Sequence, residues 1–320
     1  MSIPVVHEKG QGDRLHFSIL DPTGNITALV EDPVELSKQP LVAAEIMRRY
    51  PEVEQVGYLT YRKEGESRVQ MRMAGGEFCG NASMSAAALY QMRCGNHDLA
   101  LADSPVCLTL KVSGAAQPVR VQLDQIGNDA FRCSIDMPPA ISIEEKRFEY
   151  KKLCGVLPLV RMEGIIHLII EQDSPFYALI HDRQSAQEAV RSWCSQLGAD
   201  GLGLMFLGGS PVRSDRSQNS GSSLERKDHK GSEKVAERDL TPLVYIPGSD
   251  TVFWENSCAS GTSAAGMYIA DRSEVPVAMS FLEPGGRLEV ESHSAAGITR
   301  LYGKVRLIDH CTISLQGKKS

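Results

Sequence analysis

Two cysteines stand in matched settings, and they are the residues best placed to do chemistry. One lies in Gly75–Tyr90 (GGEFCGNASMSAAALY) and the other in Phe253–Tyr268 (FWENSCASGTSAAGMY), so Cys79 and Cys258 are 179 residues apart. Each follows an acidic residue, Glu77 or Glu255, and precedes small or polar residues and a Ser-Ala-Ala run. That repetition is the mark of an internal duplication in which each half presents one thiol. A cysteine in the first turn of a helix faces unpaired backbone N–H groups and the positive end of the helix dipole, which favours the thiolate. Short side chains at Gly80, Asn81, Ala259, Ser260 and Gly261 leave the amides after each cysteine open, and a carboxylate is the natural guest there. Face to face across a cleft, the thiols would exchange protons at the carbon beside that carboxylate. One thiolate removes the α-proton, the opposite thiol returns a proton to the other face, and the stereocentre inverts. The amides stabilise the charge that spreads onto the carboxylate. Only one of the two is ionised at a time, so they titrate as a pair.

Other readings compete. A cysteine beside glycine and alanine is ordinarily a packed small residue, which the matched contexts argue against. Two facing cysteines also suit a redox disulfide. Redox pairs usually sit close together as CxxC, however, and no nucleotide motif accompanies these: Gly10-Gln11-Gly12 lacks the third glycine and the following helix of a dinucleotide fingerprint. A non-catalytic binding or redox protein on the same fold remains the alternative of another class.

The elements that must position the cysteines follow from periodicity. Gly80–Arg93 and Gly261–Asp271 are Ala-rich helices. Leu41–Arg49 places Leu41, Ala44, Ile46 and Met47 near one helical face ahead of Pro51, and Arg183–Gln196 suits an amphipathic surface helix. Strand-like runs cover 55–61, 68–73, 107–112, 119–123, 131–137, 165–170, 202–207 and 243–246. Strands outnumber helices and do not alternate with them, so the class is α+β rather than a doubly wound sheet. The stretch 208–239 is polar, mixed in charge and nearly free of large apolar residues, which reads as a flexible surface insertion. An exposed charged helix over part of it is the competing reading.

Composition bounds the rest. The 320 residues are 42% hydrophobic, enough for two domains of ordinary size. With 34 Lys and Arg against 40 Asp and Glu, the net charge of -6 offers no basic surface, so nucleic acid is not an expected partner. No apolar run approaches the ~20 residues of a spanning helix and no signal peptide opens the chain, which gives a cytoplasmic expectation without a membrane partner. The eight cysteines include no CxxC knuckle and the eight histidines no acidic cluster, so neither metal nor cofactor is expected, and most thiols should be buried and reduced.

The strings EFCGNASMS and WENSCASGTSAAG resemble the two cysteine motifs of the diaminopimelate epimerase and proline racemase superfamily, whose members need no cofactor. The likeness continues in Asp21–Val30 (DPTGNITALV), Glu54–Leu59 (EQVGYL) and Pro284–Val290 (PGGRLEV). Within the superfamily the chain looks most like the histidine racemases of staphylopine-type metallophore biosynthesis, through Trp-Glu-Asn-Ser-Cys and Val244–Pro247. Diaminopimelate epimerases carry Glu-Arg about nine residues before the second cysteine, where Ser249-Asp250 stands here. A second substrate carboxylate then lacks its partner, and histidine fits better than diaminopimelate. The resemblance implies an isomerase, a pyridoxal-phosphate-independent amino-acid racemase converting L- to D-histidine, with diaminopimelate or another amino acid as the alternative substrate.

Residue by residue, the resemblance implies Cys79 and Cys258 as the acid/base thiols. The backbone amides of Gly80, Asn81, Ala259 and Ser260 would hold the α-carboxylate, Gly261 would permit close approach, and Asn25 would line the pocket. His167 matches a pocket histidine of the epimerases, without their preceding Asn-Pro; alone it reads as a core residue. Glu54 would recognise a basic side chain, or else is a solvated strand-edge carboxylate. Glu255 and Asn256 would orient the second thiol or the ammonium group, with a helix cap as the other reading of Asn256. The implied fold has two pseudo-symmetric domains, each a curved, mostly antiparallel sheet around a central helix. Residues 1–143 form the half with Cys79 and 144–296 the half with Cys258, while the strands in 297–320 return to the first half. A small amino acid is the expected partner, a homodimer a further expectation.

Overall fold

Both cysteine strings open helices that are buried on every side, and this dictates their composition. Asn81–Leu89 and Ala259–Tyr268 are buried without interruption. A helix inside a curved sheet has no solvent face, so alanine, serine and glycine occupy the positions where an ordinary amphipathic helix carries charge.

The computed structural model describes residues 14–62, 67–94, 105–209, 236–293 and 297–314. In chain order they form β1 (Arg14–Pro22), β2 (Thr27–Val30), α1 (Gln39–Arg49), β3 (Gln55–Tyr61), β4 (Val69–Met73), α2 (Gly80–Cys94), β5 (Val106–Val112), β6 (Val119–Gly127) and β7 (Ala130–Met137). The chain continues with β8 (Ser142–Tyr150), β9 (Leu153–Met162), β10 (Ile165–Glu171), α3 (Arg183–Leu197), β11 (Leu202–Gly208) and β12 (Ala236–Ile246). It ends with β13 (Thr251–Trp254), α4 (Ala259–Ser273), β14 (Val277–Glu283), β15 (Gly286–His293) and β16 (Ile298–Ser314).

The fold is α+β, mostly strand. Its strands run in one path, β1-β2-β3-β4-β5-β6-β7-β16-β15-β14-β12-β11-β10-β9-β8, rather than in two separate sheets. β16 also pairs with β1, which closes the first eight strands into a barrel around α2. The halves repeat each other. Parallel pairs β2–β3 and β4–β5 are joined through α1 and α2, and parallel pairs β10–β11 and β12–β14 through α3 and α4. Parallel neighbours need a crossover, and a helix supplies each one. β16 pairs with β15 over 298–302, with β7 over 299–306 and with β1 over 305–314.

The outer helices carry ordinary signals. Asp182 caps α3 by accepting from the Ser185 amide at 3.0 Å, and Gly198 ends it in the left-handed region. α1 begins at proline and ends in Arg48 and Arg49. Its buried face is Val42, Ala43 and Ile46, whereas Leu41, expected on that face, is 73% exposed. Ile46, also expected there, is buried, and Met47 packs partly buried against the same core, while Leu41 and Ala44 turn outward, so the face is displaced at its first turn only.

Of the stretch read as an insertion, 210–235 lie outside the described residues, and Ala236–Asp239 are strand rather than loop. They pair with Met279–Leu282. Arg238 reaches Glu171 at 3.1 Å. Backbone pairing and that ion pair supply what composition lacks.

Candidate active site

The starts of α2 and α4 meet head to head. A β-carbon placed on Gly80 would lie 2.8 Å from that of Ala259, so only glycine lets the two helices approach this closely. The Asn81 amide donates to the Ser257 carbonyl at 3.1 Å and to its hydroxyl at 3.2 Å, and the Asn25 amide donates to the same carbonyl at 2.9 Å. Nearby, the turn at Gly24 touches the Pro-Gly-Gly turn backbone to backbone: a β-carbon on Gly24 would come within 2.4 Å of Gly285.

A cavity of about 910 Å³ opens above this junction. Cys79, Gly80, Asn81, Cys258, Ala259 and Ser260 lie along it, together with Asn25. Each sulfur acts as the helix cap, accepting the amide three residues on at 3.4 Å, Ala82 for Cys79 and Gly261 for Cys258. Asn256 is therefore not the cap. The amides between sulfur and cap bond, Gly80 and Asn81 on one side and Ala259 and Ser260 on the other, have no carbonyl one turn earlier to take them.

Four carboxylates line the cavity: Glu54, Glu77, Asp250 and Glu255. Glu54 is held by Asn25 at 3.2 Å and by the side chain and backbone of Asn256, and burial pushes its carboxyl up to about 7. Glu255 is pushed up to about 8 by burial, against the pull of its hydrogen bond with Cys258. Burial also raises Glu77, whose Oε2 has no hydrogen-bond partner. The arginine along the lining, Arg48, is engaged with Glu45 at 2.8 Å. Asp250, at the rim, is paired with Arg191. The cavity thus carries a surplus of acid groups, which favours a cation.

The two thiols differ. Cys79 donates to Gln55 Oε1 at 3.0 Å, while Gln55 Nε2 donates to Thr27 Oγ1 at 2.7 Å and Thr27 in turn to the Asn25 carbonyl at 2.9 Å. That chain fixes which end of the amide faces the sulfur. Burial pushes Cys79 up to about 12. Cys258 is also raised well above the usual thiol range, through burial and then the charge and hydrogen bond of Glu255. The expected thiolate-favouring effect of the helix starts is outweighed by burial, because desolvation acts on the whole charge and the dipole only on its first turn.

Three expected residues are off the cavity lining. His167 is fully buried, outside the cavity lining, with neither ring nitrogen hydrogen-bonded and its basicity pushed down to about 3 by burial. Its ring fills the space over Gly203, where a β-carbon would lie 2.3 Å from Nδ1. Gly261 makes room for Met205: a β-carbon there would meet Sδ at 2.1 Å. Asn256 acts through Glu54. Sequence reasoning missed Gln55, Ser257 and Glu283. Glu283 accepts the Cys258 amide at 2.6 Å from 25 residues away, and nothing local to either residue signals the contact.

The chain matches the family described as "Histidine racemase CntK N-terminal domain" over residues 14–210 and 234–319. A histidine racemase of Fusobacterium nucleatum is 30% identical over 293 residues, covering 88% of this chain and 90% of its own. One of Staphylococcus aureus is 25% identical over 304 residues, covering 92% and 95%. Among solved structures, a hydroxyproline epimerase of Agrobacterium vitis aligns with a TM-score of 0.61 at 10% identity, covering 96% of this chain and 94% of that one. A probable proline racemase of Agrobacterium radiobacter gives 0.61 at 11%, covering 95% and 94%. These two share the fold. The family match and the two racemase relatives make this protein an isomerase, and the chain belongs to the histidine racemase CntK N-terminal domain family.

Proposed function

We propose that the protein racemises histidine by proton exchange between Cys79 and Cys258, without pyridoxal phosphate. The observation that carries this reading is the head-to-head placement of two sulfur-capped helix starts on one acidic cavity. The α-carboxylate sits between the open amides of Gly80, Asn81, Ala259 and Ser260, with Cα between the sulfurs. One sulfur, as thiolate, takes the Cα proton and becomes the thiol. The other thiol gives its proton to the opposite face of the carbanion and becomes the thiolate, so the enzyme ends with its protons exchanged. Cys79 is held as the acid by Gln55, and Cys258 has Glu255 beside it to take its proton. Each is thereby readied for a different half of the exchange.

The acidic lining supports a cationic side chain. An imidazolium near Glu54 would hold that carboxyl ionised and gain a charge-assisted hydrogen bond. Histidine racemase relatives agree with this choice. The further step, use of D-histidine in an opine-type metallophore synthesis, rests on the likeness of the cysteine strings alone. Incubation of L- or D-histidine in heavy water, without pyridoxal phosphate, should place deuterium at Cα and bring the circular dichroism to zero. A panel of other amino acids measured the same way tests the substrate, and full racemisation by Cys79→Ser or Cys258→Ser would sink the two-thiol mechanism.

A further inference from the structure

Glu283 ends β14 beneath the start of α4 and is 3% exposed. Its Oε2 accepts the Cys258 N–H at 2.6 Å, and its Oε1 meets Thr262 Oγ1. The same hydroxyl lies 2.8 Å from the Cys258 carbonyl oxygen. A hydroxyl has one hydrogen to give. With Glu283 ionised, that hydrogen serves one acceptor and leaves another pair of oxygens in contact with nothing between them. A hydrogen on Oε1 completes the set: Oε1–H to Thr262 Oγ1, Oγ1–H to the Cys258 carbonyl, Cys258 N–H to Oε2. The ring then holds both backbone groups of the residue that carries the second thiol. At the equivalent place in α2, Ser83 gives its hydrogen to the Cys79 carbonyl at 2.7 Å.

We propose that Glu283 is a positioning residue for Cys258 and works as the protonated acid, fixing the backbone from which Sγ projects while keeping a second negative charge away from the thiolate. What the placement of Sγ is for rests on the racemase reading; the hydrogen count stands without it. The groups around Glu283 agree. From α4 it faces Cys258 and Thr262, and from the preceding loop Glu255 adds negative charge. Arg287, on the neighbouring strand, is half exposed and paired with Glu237 at 2.5 Å. Burial pushes Glu283 up to about 8, and its charge, when present, raises the Cys258 thiol.

Glu283→Gln keeps the hydrogen pattern of the acid, because an amide N–H replaces the O–H, whereas Glu283→Ala removes the ring. The expected result is that E283Q racemises histidine within about threefold of the parent, while E283A loses about 10²-fold in kcat with little change in KM. Alkylation of Cys258 by iodoacetamide, resolved by peptide mass spectrometry, reads the thiolate without any substrate. Between about pH 6 and about pH 7.5, E283Q should alkylate within about twofold of the parent. Alkylation of E283Q about tenfold faster in that range would mean that the parent Glu283 is ionised, and would overturn the proposal. So would a loss of kcat in E283Q equal to that of E283A. If the protein racemises no amino acid, the racemase reading fails, and the alkylation comparison still decides the state of Glu283.

Discussion

The Asn81 side chain donates to the carbonyl and hydroxyl of Ser257, at 3.1 and 3.2 Å, and so ties the first turn of α2 to the residue preceding Cys258. The sulfurs are held in register by an amide rather than by the sheet alone. Asn81→Ala removes both bonds from a residue that is 1% exposed. Steady-state racemisation should show kcat lower by about 10- to 100-fold with KM less affected, as expected when reacting groups drift by a fraction of an ångström.

Glu255 is the neighbouring group that can receive the Cys258 proton. Glu255→Gln should lower kcat/KM by about 10²-fold, within the range of general-base contributions. Its rate profile should lose the limb near pH 8 that the carboxyl imposes on the free enzyme. An unchanged profile would remove Glu255 from the proton path.

Stability should depend on pH in two opposed ways. Glu255 and Glu283 are both pushed up to about 8, so each holds a proton in the folded protein where the unfolded chain has released it. Their contribution is complete below about pH 4.5 and is lost as pH rises toward 8. His167, pushed down to about 3, refuses a proton that the unfolded chain takes up, so its contribution is complete above about pH 6.5 and is lost as pH falls toward 3. Because two carboxyls lose their contribution above about pH 4.5 while one histidine gains, thermal melts should peak near pH 4.5 and drop by about 5 °C or more by pH 8.5. E283Q should flatten the alkaline slope, and a parent Tm that climbs from pH 6 to pH 8.5 would contradict the buried carboxyls.

His167→Leu should leave racemisation within about threefold and raise Tm or leave it unchanged, because the histidine buries two unpartnered nitrogens that leucine does not have. A large loss of kcat would return His167 to the catalytic site.

Gly261→Ala drives a methyl into Met205 and should cost about 1–3 kcal/mol in urea unfolding. Shortening the neighbour, in Gly261→Ala with Met205→Ala, should recover part of the Tm loss if the collision is the cause.

The catalytic candidates were legible because their signal is local: a cysteine, small residues and an Ala-rich run suffice to mark a buried helix start. The strands β3 and β10 were legible as apolar runs. β16 was expected through the resemblance, as strands in 297–320, and not from periodicity: Arg300, Lys304 and Arg306 keep to its outward side, but Ile308, Asp309 and His310 interrupt the alternation, and three different neighbours pair with it. Side-chain partners were less readable than positions. Gln55 lies 24 residues before the thiol it orients, and Glu283 lies 25 after the amide it accepts. Only the folded sheet brings either pair together. Leu41 and Ala44 misled because hydrophobicity alone does not say which residues of a helix face the core: Leu41 is exposed and Ala44 lines the cavity. His167 separates the two readings: the resemblance put it in the pocket, while the residue alone reads as a core histidine, and it is packed in the core with neither nitrogen partnered.

β16 is a stave held in common. Severing the chain between β7 and β8 would leave the upstream piece a barrel with a missing wall and give the downstream piece a long strand whose second half has nothing to lie against. The two halves are not separable parts, and the last seventeen residues of the described chain are the reason.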